Sequence, residues 1–123
     1  MSIRAAVVTV SDKGYAGERE DASGPLLAEL LRSAGAEVVA QTIVPDEPEQ
    51  IQRTLVHLAD ELRVDVVLTT GGTGFTPRDR TPEATRAALE RETPGIAELL
   101  RMEGYRRTPL AVLSRGAAGL RGR

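Results

Sequence analysis

The sequence predicts an α/β fold, a three-layer α/β/α sandwich built on a mostly parallel sheet. Three observations carry that expectation. Ile3 to Val10 is a near-continuous apolar run rich in β-branched residues, the pattern of a strand buried on both faces. Two more runs of strand character follow, Ala36 to Val44 and Asp65 to Thr70. The segments between them repeat their apolar residues at helical spacing, and strands alternating with helices pair in parallel through right-handed crossovers.

Taken in order, Ser11 to Ala22 is polar with two glycines and reads as a loop. Leu26, Leu27, Leu30, Leu31 and Ala34 share one helical face, with Ser23 placed to cap the helix and Gly35 placed to end it. Pro48 opens a second helix carrying Ile51, Leu55, Leu58 and Leu62 at spacings of four, three and four. Thr81-Pro82-Glu83 supplies an N-cap, first residue and first-turn acid for a third helix reaching about Arg91. Thr93-Pro94 repeats the signal for a fourth, with Ile96, Leu99 and Leu100 inward. Leu110 to Leu113 is expected to be a short fourth strand.

At 123 residues without repeats or linker-like stretches, the chain is expected to form a single domain, 1–123. No apolar run approaches the roughly 18 residues of a membrane span, and no signal segment opens the chain, so a cytoplasmic protein without membrane contact is expected. The absence of cysteine removes thiolate chemistry and sulfur-ligated zinc; one histidine, His57, removes a two-histidine metal site. His57 lies between Leu55 and Leu58 on the second helix and reads as a solvent-side or boundary residue. A net charge of −2 argues against nucleic-acid binding, and three aromatic side chains are too few to stack bases. Carboxylates, hydroxyls, arginines and backbone remain to do any chemistry.

In open parallel sheets ligands bind beyond the carboxyl ends of the strands. Those places hold Ser11-Asp12, Pro45-Asp46, the run Thr69-Thr70-Gly71-Gly72-Thr73-Gly74, and Ser114-Arg115. Three glycines in four residues permit positive φ and turn N–H groups toward an anion, so Gly71, Gly72, Thr73 and Gly74 form a candidate phosphate cradle. It is no Walker loop, because the only lysine, Lys13, lies elsewhere. Asp46 and Asp79 are candidate Mg²⁺ ligands, since such sites use one or two carboxylates plus phosphate oxygens. The competing structural readings are a cap on the helix at Pro48, answered by Glu49, for Asp46, and an ion pair with Arg78 or Arg80 for Asp79. Arg115, at a strand end beside Ser114, is suited to gripping phosphate or carboxylate. The other arginines of the C-terminal stretch read as a solvated basic face.

The stretch TTGGTGFTPRDRTPEAT (Thr69 to Thr85) is less generic. Together with VTVSDKGYAGEREDASGP, IVPDE, ETPGI and LSRGAAGLRG it resembles the MogA/MoaB family of molybdenum cofactor biosynthesis proteins, along essentially the whole chain. Asp46 and Asp79 stand where the adenylyltransferase type carries its two aspartates. The resemblance implies transfer of AMP from Mg-ATP to the terminal phosphate of molybdopterin with release of pyrophosphate. It implies that Gly71 to Gly74 hold nucleotide phosphates and that Asp46 and Asp79 are catalytic and position Mg²⁺. It places Ser11 and Asp12 at the nucleotide crevice and Ser114 and Arg115 toward the pterin. It also implies a homotrimer and a molybdenum-insertion protein as partner. Family members continue into a further strand, a turn and a C-terminal helix, which this sequence is expected to lack. The alternatives are a non-catalytic molybdopterin-binding or scaffolding member and a generic nucleotide-binding regulatory domain.

Overall fold

In the computed structural model, which describes residues 2–122, β1 (Arg4–Val10) is the centre of a parallel three-stranded sheet. It pairs on one side with β2 (Glu37–Val44) and on the other with β3 (Val66–Thr70), Val8 standing opposite both Thr42 and Thr69. Ala5 to Val8 are fully buried, as a strand covered on both faces requires. The expected run is therefore the sheet's axis, shortened by one residue.

The two faces of β1 serve different layers. Ala6, Val8 and Val10 join Ile51, Leu55 and Leu58 of α3 (Pro48–Asp60) and Ala84 and Ala88 of α4 (Thr81–Ala88) in the main core. On the other face α2 (Ser23–Ser33) packs against β1 and β2, and Thr9 donates to Asp21 at 2.8 Å in the approach to that helix. These are the three expected layers. Pro48 occupies the first turn of α3, and Gly35 follows α2 with φ of +95°.

Several details correct the reading of the sequence. Residues Asp12–Tyr15 form one helical turn, α1, where a loop is expected, because the Ser11 hydroxyl accepts the Gly14 N–H at 3.0 Å. Ser23 does not cap α2; Asp21 does, taking the Gly24 N–H at 3.0 Å. Thr81 is the first residue of α4 rather than its cap, and the helix ends at Ala88 instead of Arg91. Arg91–Glu92 is β4, paired antiparallel with β5 (Gly119–Leu120). Leu110 to Leu113 is no strand: Pro109–Leu113 is a 3-10 turn packed on α5 (Pro94–Tyr105). Gly104 of α5 allows that approach, since a Cβ there would come within 3.0 Å of the Ala111 methyl.

The apolar faces also differ. Ile96, Leu99 and Leu100 face solvent, and Ala97 is the buried residue of α5. Leu26 and Leu30 are likewise exposed while Gly24 and Ala28 are buried. Both helices turn an alanine inward, Ala28 and Ala97, in place of a leucine. His57 is exposed, as expected.

Candidate functional site

Ser11-Asp12, Asp46 and the glycine segment all follow the carboxyl ends of β1, β2 and β3, and parallel pairing puts these ends side by side. Asp12 and Asp46 brace each other. The Asp12 N–H donates to Asp46 Oδ2 at 3.0 Å, and the Asp46 N–H donates to Asp12 Oδ1 at 2.9 Å. This reciprocal pair uses one oxygen of Asp46 and leaves Oδ1 without a donor among the described residues. The capping reading for Asp46 fails, because Glu47 is the N-cap of α3 and makes no side-chain cap bond.

The glycine segment lies against Asp46 and Asp79. Gly71 and Gly72 have φ of +97° and +68°, a region that side chains disfavour. A Cβ on Gly71 would strike the Val10 carbonyl oxygen. One on Gly72 would strike the Thr81 hydroxyl and lie 3.1 Å from Asp46 Oδ1. The carbonyls of the loop point into the protein: Gly72 O accepts the Thr81 N–H at 3.1 Å, Thr73 O the Arg115 N–H at 3.0 Å, and Gly74 O accepts Arg115 Nε at 2.8 Å. In a trans peptide the following N–H points opposite to the carbonyl, so the N–H groups of Thr73, Gly74 and Phe75 face away from that anchorage. None of the three donates to a protein acceptor among the described residues. They form the turned-out donor set an anion cradle needs.

Asp79 is held by its own turn. Its Oδ2 accepts the Thr76 N–H at 3.0 Å and the Thr76 hydroxyl at 2.8 Å. Neither neighbouring arginine takes it as an ion-pair partner. Arg78 instead forks onto Asp12, through Nε at 3.1 Å and Nη2 at 2.9 Å, and reaches Glu47 with Nη1 at 2.8 Å; Arg80 Nε donates to the Pro77 carbonyl.

The charges divide the carboxylates. The Arg78 guanidinium, with the Asp46 N–H, holds the Asp12 carboxyl below the ordinary aspartate value. Burial, reinforced by the charges of Asp12 and Asp79, pushes the Asp46 carboxyl up. Such opposed shifts among neighbours in a cleft accompany functional sites. Asp46 is therefore the carboxylate with most to gain from a cation.

Ser114 and Arg115 follow a 3-10 turn rather than a strand, yet they arrive at the same loop. Arg115 is a clamp: besides Gly74 O, it gives Nη2 to Asp79 O at 2.7 Å and Nη1 to Glu83 Oε2 at 2.7 Å. That guanidinium holds the Glu83 carboxyl below its usual range. Ser114 Oγ accepts the Gly116 N–H at 3.3 Å. Arg121 is likewise built in, forking onto Asp60 at 2.9 and 3.1 Å, so the expected solvated basic face is partly structural. A cavity of about 660 Å³ runs from this corner along β3, with Thr70, Gly71, Thr73, Thr81 and Ser114 in its wall.

Against known proteins, residues 6–122 match the family described as "Probable molybdopterin binding domain". The chain belongs to this family. The molybdopterin adenylyltransferase of Helicobacter pylori J99 is 39% identical over 98% of this chain and 69% of its own length. Molybdenum cofactor biosynthesis protein B of Bacillus cereus is 45% identical over 98% of this chain and 72% of its own. The Drosophila melanogaster protein cinnamon is 44% identical over 98% of this chain, which spans one fifth of that relative. Among solved structures, MoaB from Thermus thermophilus superposes with a TM-score of 0.91 at 53% identity, covering 98% of this chain and 76% of that one.

Within this fold, the expected residues at the ends of β1, β2 and β3 are brought together. The sequence reading gave no site role to Arg78 and Glu47, which tie Asp12 to the Asp79 turn, or to Glu83 and Thr76. Arg78 entered only as an ion-pair candidate for Asp79, and Glu83 only as a first-turn acid. No cluster of three or more metal-binding side chains occurs among the described residues, and no helix there is long and apolar enough to cross a membrane.

Proposed function

We propose that this chain adenylylates molybdopterin: an oxygen of the pterin's terminal phosphate attacks the α-phosphorus of ATP, the bond to the β-phosphate bridging oxygen breaks, and pyrophosphate leaves. The observation that carries this is the turned-out N–H set of Thr73, Gly74 and Phe75 lying between two aspartates, with its carbonyl side anchored by Thr81 and Arg115. The similarity to named adenylyltransferases supports it.

In-line phosphoryl chemistry asks the protein for positioning and for stabilisation of spreading negative charge more than for a base. The loop N–H groups supply fixed donors for phosphate oxygens, at no reorganisation cost during reaction. Arg115 keeps those donors in place by holding Gly74 and Asp79. Arg78 and Asp12 border the crevice, and Ser114 and Gly116 form the side of the loop where the pterin would lie.

Mg²⁺ fits the donor set. Among the described residues Asp46 keeps Oδ1 beside Gly72 without a donor and Asp79 keeps its Oδ1, and both are hard oxygen ligands. Two carboxylates are too few to hold the ion alone, which suits an ion that arrives with nucleotide phosphates. When bound, it would neutralise phosphate charge and orient the leaving group. Cytoplasmic placement, assembly as a homotrimer and delivery to a molybdenum-insertion protein belong to the same reading. The apolar side chains that α5 presents to solvent support burial against further copies.

The test is incubation of the chain with molybdopterin, ATP and Mg²⁺, separating the products. Adenylylated pterin and stoichiometric pyrophosphate are expected. Binding of molybdopterin without either product would replace this reading with a non-catalytic one.

A further inference from the structure

We propose that Thr81 is a positioning residue of this site, its hydroxyl being the donor that orients the free oxygen of Asp46 when nucleotide and metal are bound. The inference deepens the reading above and rests on it.

Thr81 is only 2% exposed, and its Oγ1 finds no hydrogen-bond partner among the described residues. A buried hydroxyl left unpaired costs free energy, and such atoms in a native fold call for an account. Its position supplies one. Oγ1 crowds the point where a Cβ on Gly72 would stand, and Asp46 Oδ1 lies 3.1 Å from that same point. A free donor and a free acceptor thus flank one niche, kept open because residue 72 is glycine.

The backbone fixes both sides. The Thr81 N–H is bonded to Gly72 O, so the threonine cannot drift from the loop. Asp46 is bonded through Oδ2 and its own N–H to Asp12, so of its two carboxylate oxygens Oδ1 is the one without a donor among the described residues. Hydrogen bonds of this kind are often long in the free protein and close only in the complex. The hydroxyl is buried with the rest of the Thr81 side chain, and among the described residues it has no partner. A carboxylate that holds a cation is steered by the groups hydrogen-bonded to it, and losing one typically weakens metal binding by roughly 10–100-fold.

Thr81→Val keeps shape and removes only the hydroxyl; Thr81→Ser keeps the hydroxyl. Both are measured for Mn²⁺ affinity in the presence of ATP by electron spin resonance, for kcat and KM in adenylyl transfer, and for thermal unfolding without ligand. In Thr81→Val we expect Tm unchanged or raised, Mn²⁺ binding weakened on the order of 10-fold, and kcat lowered with KM for molybdopterin kept. Thr81→Ser should restore both binding and kcat. A Thr81→Val protein with wild-type Mn²⁺ affinity and kcat overturns the proposal, as does a Thr81→Ser protein equally impaired. If the wild type binds Mn²⁺ with ATP, loses affinity on Thr81→Val and forms no adenylylated pterin, Thr81 keeps its role and adenylyl transfer is refuted. A wild type that binds no Mn²⁺ with ATP overturns both.

Discussion

Replacing Asp46 with asparagine should make the protein more stable and much less active. Asparagine keeps the size and an oxygen able to accept the Asp12 N–H, which Asp46 takes at 3.0 Å. What it removes is a negative charge that burial and the carboxylates of Asp12 and Asp79 all disfavour. Because the folded-state pKa is raised, the folded chain binds this proton more tightly than the unfolded one. The ionised group therefore costs stability; the cost is absent well below the ordinary value of 3.8 and complete once pH exceeds the raised value. The site is partly open to solvent, so the gain on substitution at pH 7 is about 0–1 kcal/mol. For a chain of this length that is roughly 0–5 °C in Tm, shrinking to nothing as pH falls toward 3.8. Adenylyl transfer should fall on the order of 10²–10³-fold, as for other fixed electrostatic groups. Thermal unfolding at pH 7 and near pH 4, and turnover on the same preparation, decide it. Near-normal turnover, or a Tm loss that is larger at pH 7 than at pH 4, would refute the reasoning.

Gly72→Ala should lower stability by about 1–2 kcal/mol from its left-handed backbone alone, and weaken ATP binding by pushing Thr81 and Asp46 apart; denaturant unfolding and calorimetric titration check each. Arg115→Met should weaken ATP binding although Arg115 is assigned no contact with nucleotide, because Gly74 O and Asp79 O lose their anchor; unchanged ATP affinity with weakened molybdopterin binding would make Arg115 a pterin ligand instead. Arg78→Gln should shift acid unfolding, followed by circular dichroism, to higher pH. Arg78 holds the Asp12 pKa below 3.8, which gives stability present above 3.8 and lost as pH falls through the lowered value, and the substitution removes that stability.

The sheet was legible because β1 is covered on both sides: a strand with Ala5 to Val8 fully buried has no polar alternation to confuse it. Helix faces were harder to read. Leucines at helical spacing mark an apolar stripe, and on α2 and α5 that stripe includes residues facing solvent while Ala28 and Ala97 pack inward. Periodicity reports where apolar residues fall, and close backbone approach selects small ones. Leu110 to Leu113 failed for a different reason. A four-residue apolar run has no intrinsic period, and the proline before it starts a 3-10 turn as readily as a strand.

The site followed the same division between what chain order encodes and what folding adds. Strand-end position located Asp12, Asp46 and the glycines, since a parallel sheet gathers those ends by construction. It could not say which atom bonds which. Asp12 and Asp46 are 34 residues apart, and Arg115 reaches the Asp79 carbonyl from 36 residues away. Those bonds change the chemical assignment. An arginine that sequence places at the ligand is, in the fold, spent on holding the loop, and a threonine that sequence makes a cap is buried with its hydroxyl free. Anchored carbonyls on one side of the glycine segment and open N–H groups on the other have one origin. Arg115 and Thr81 take the acceptors, and the donors are thereby left open among the described residues.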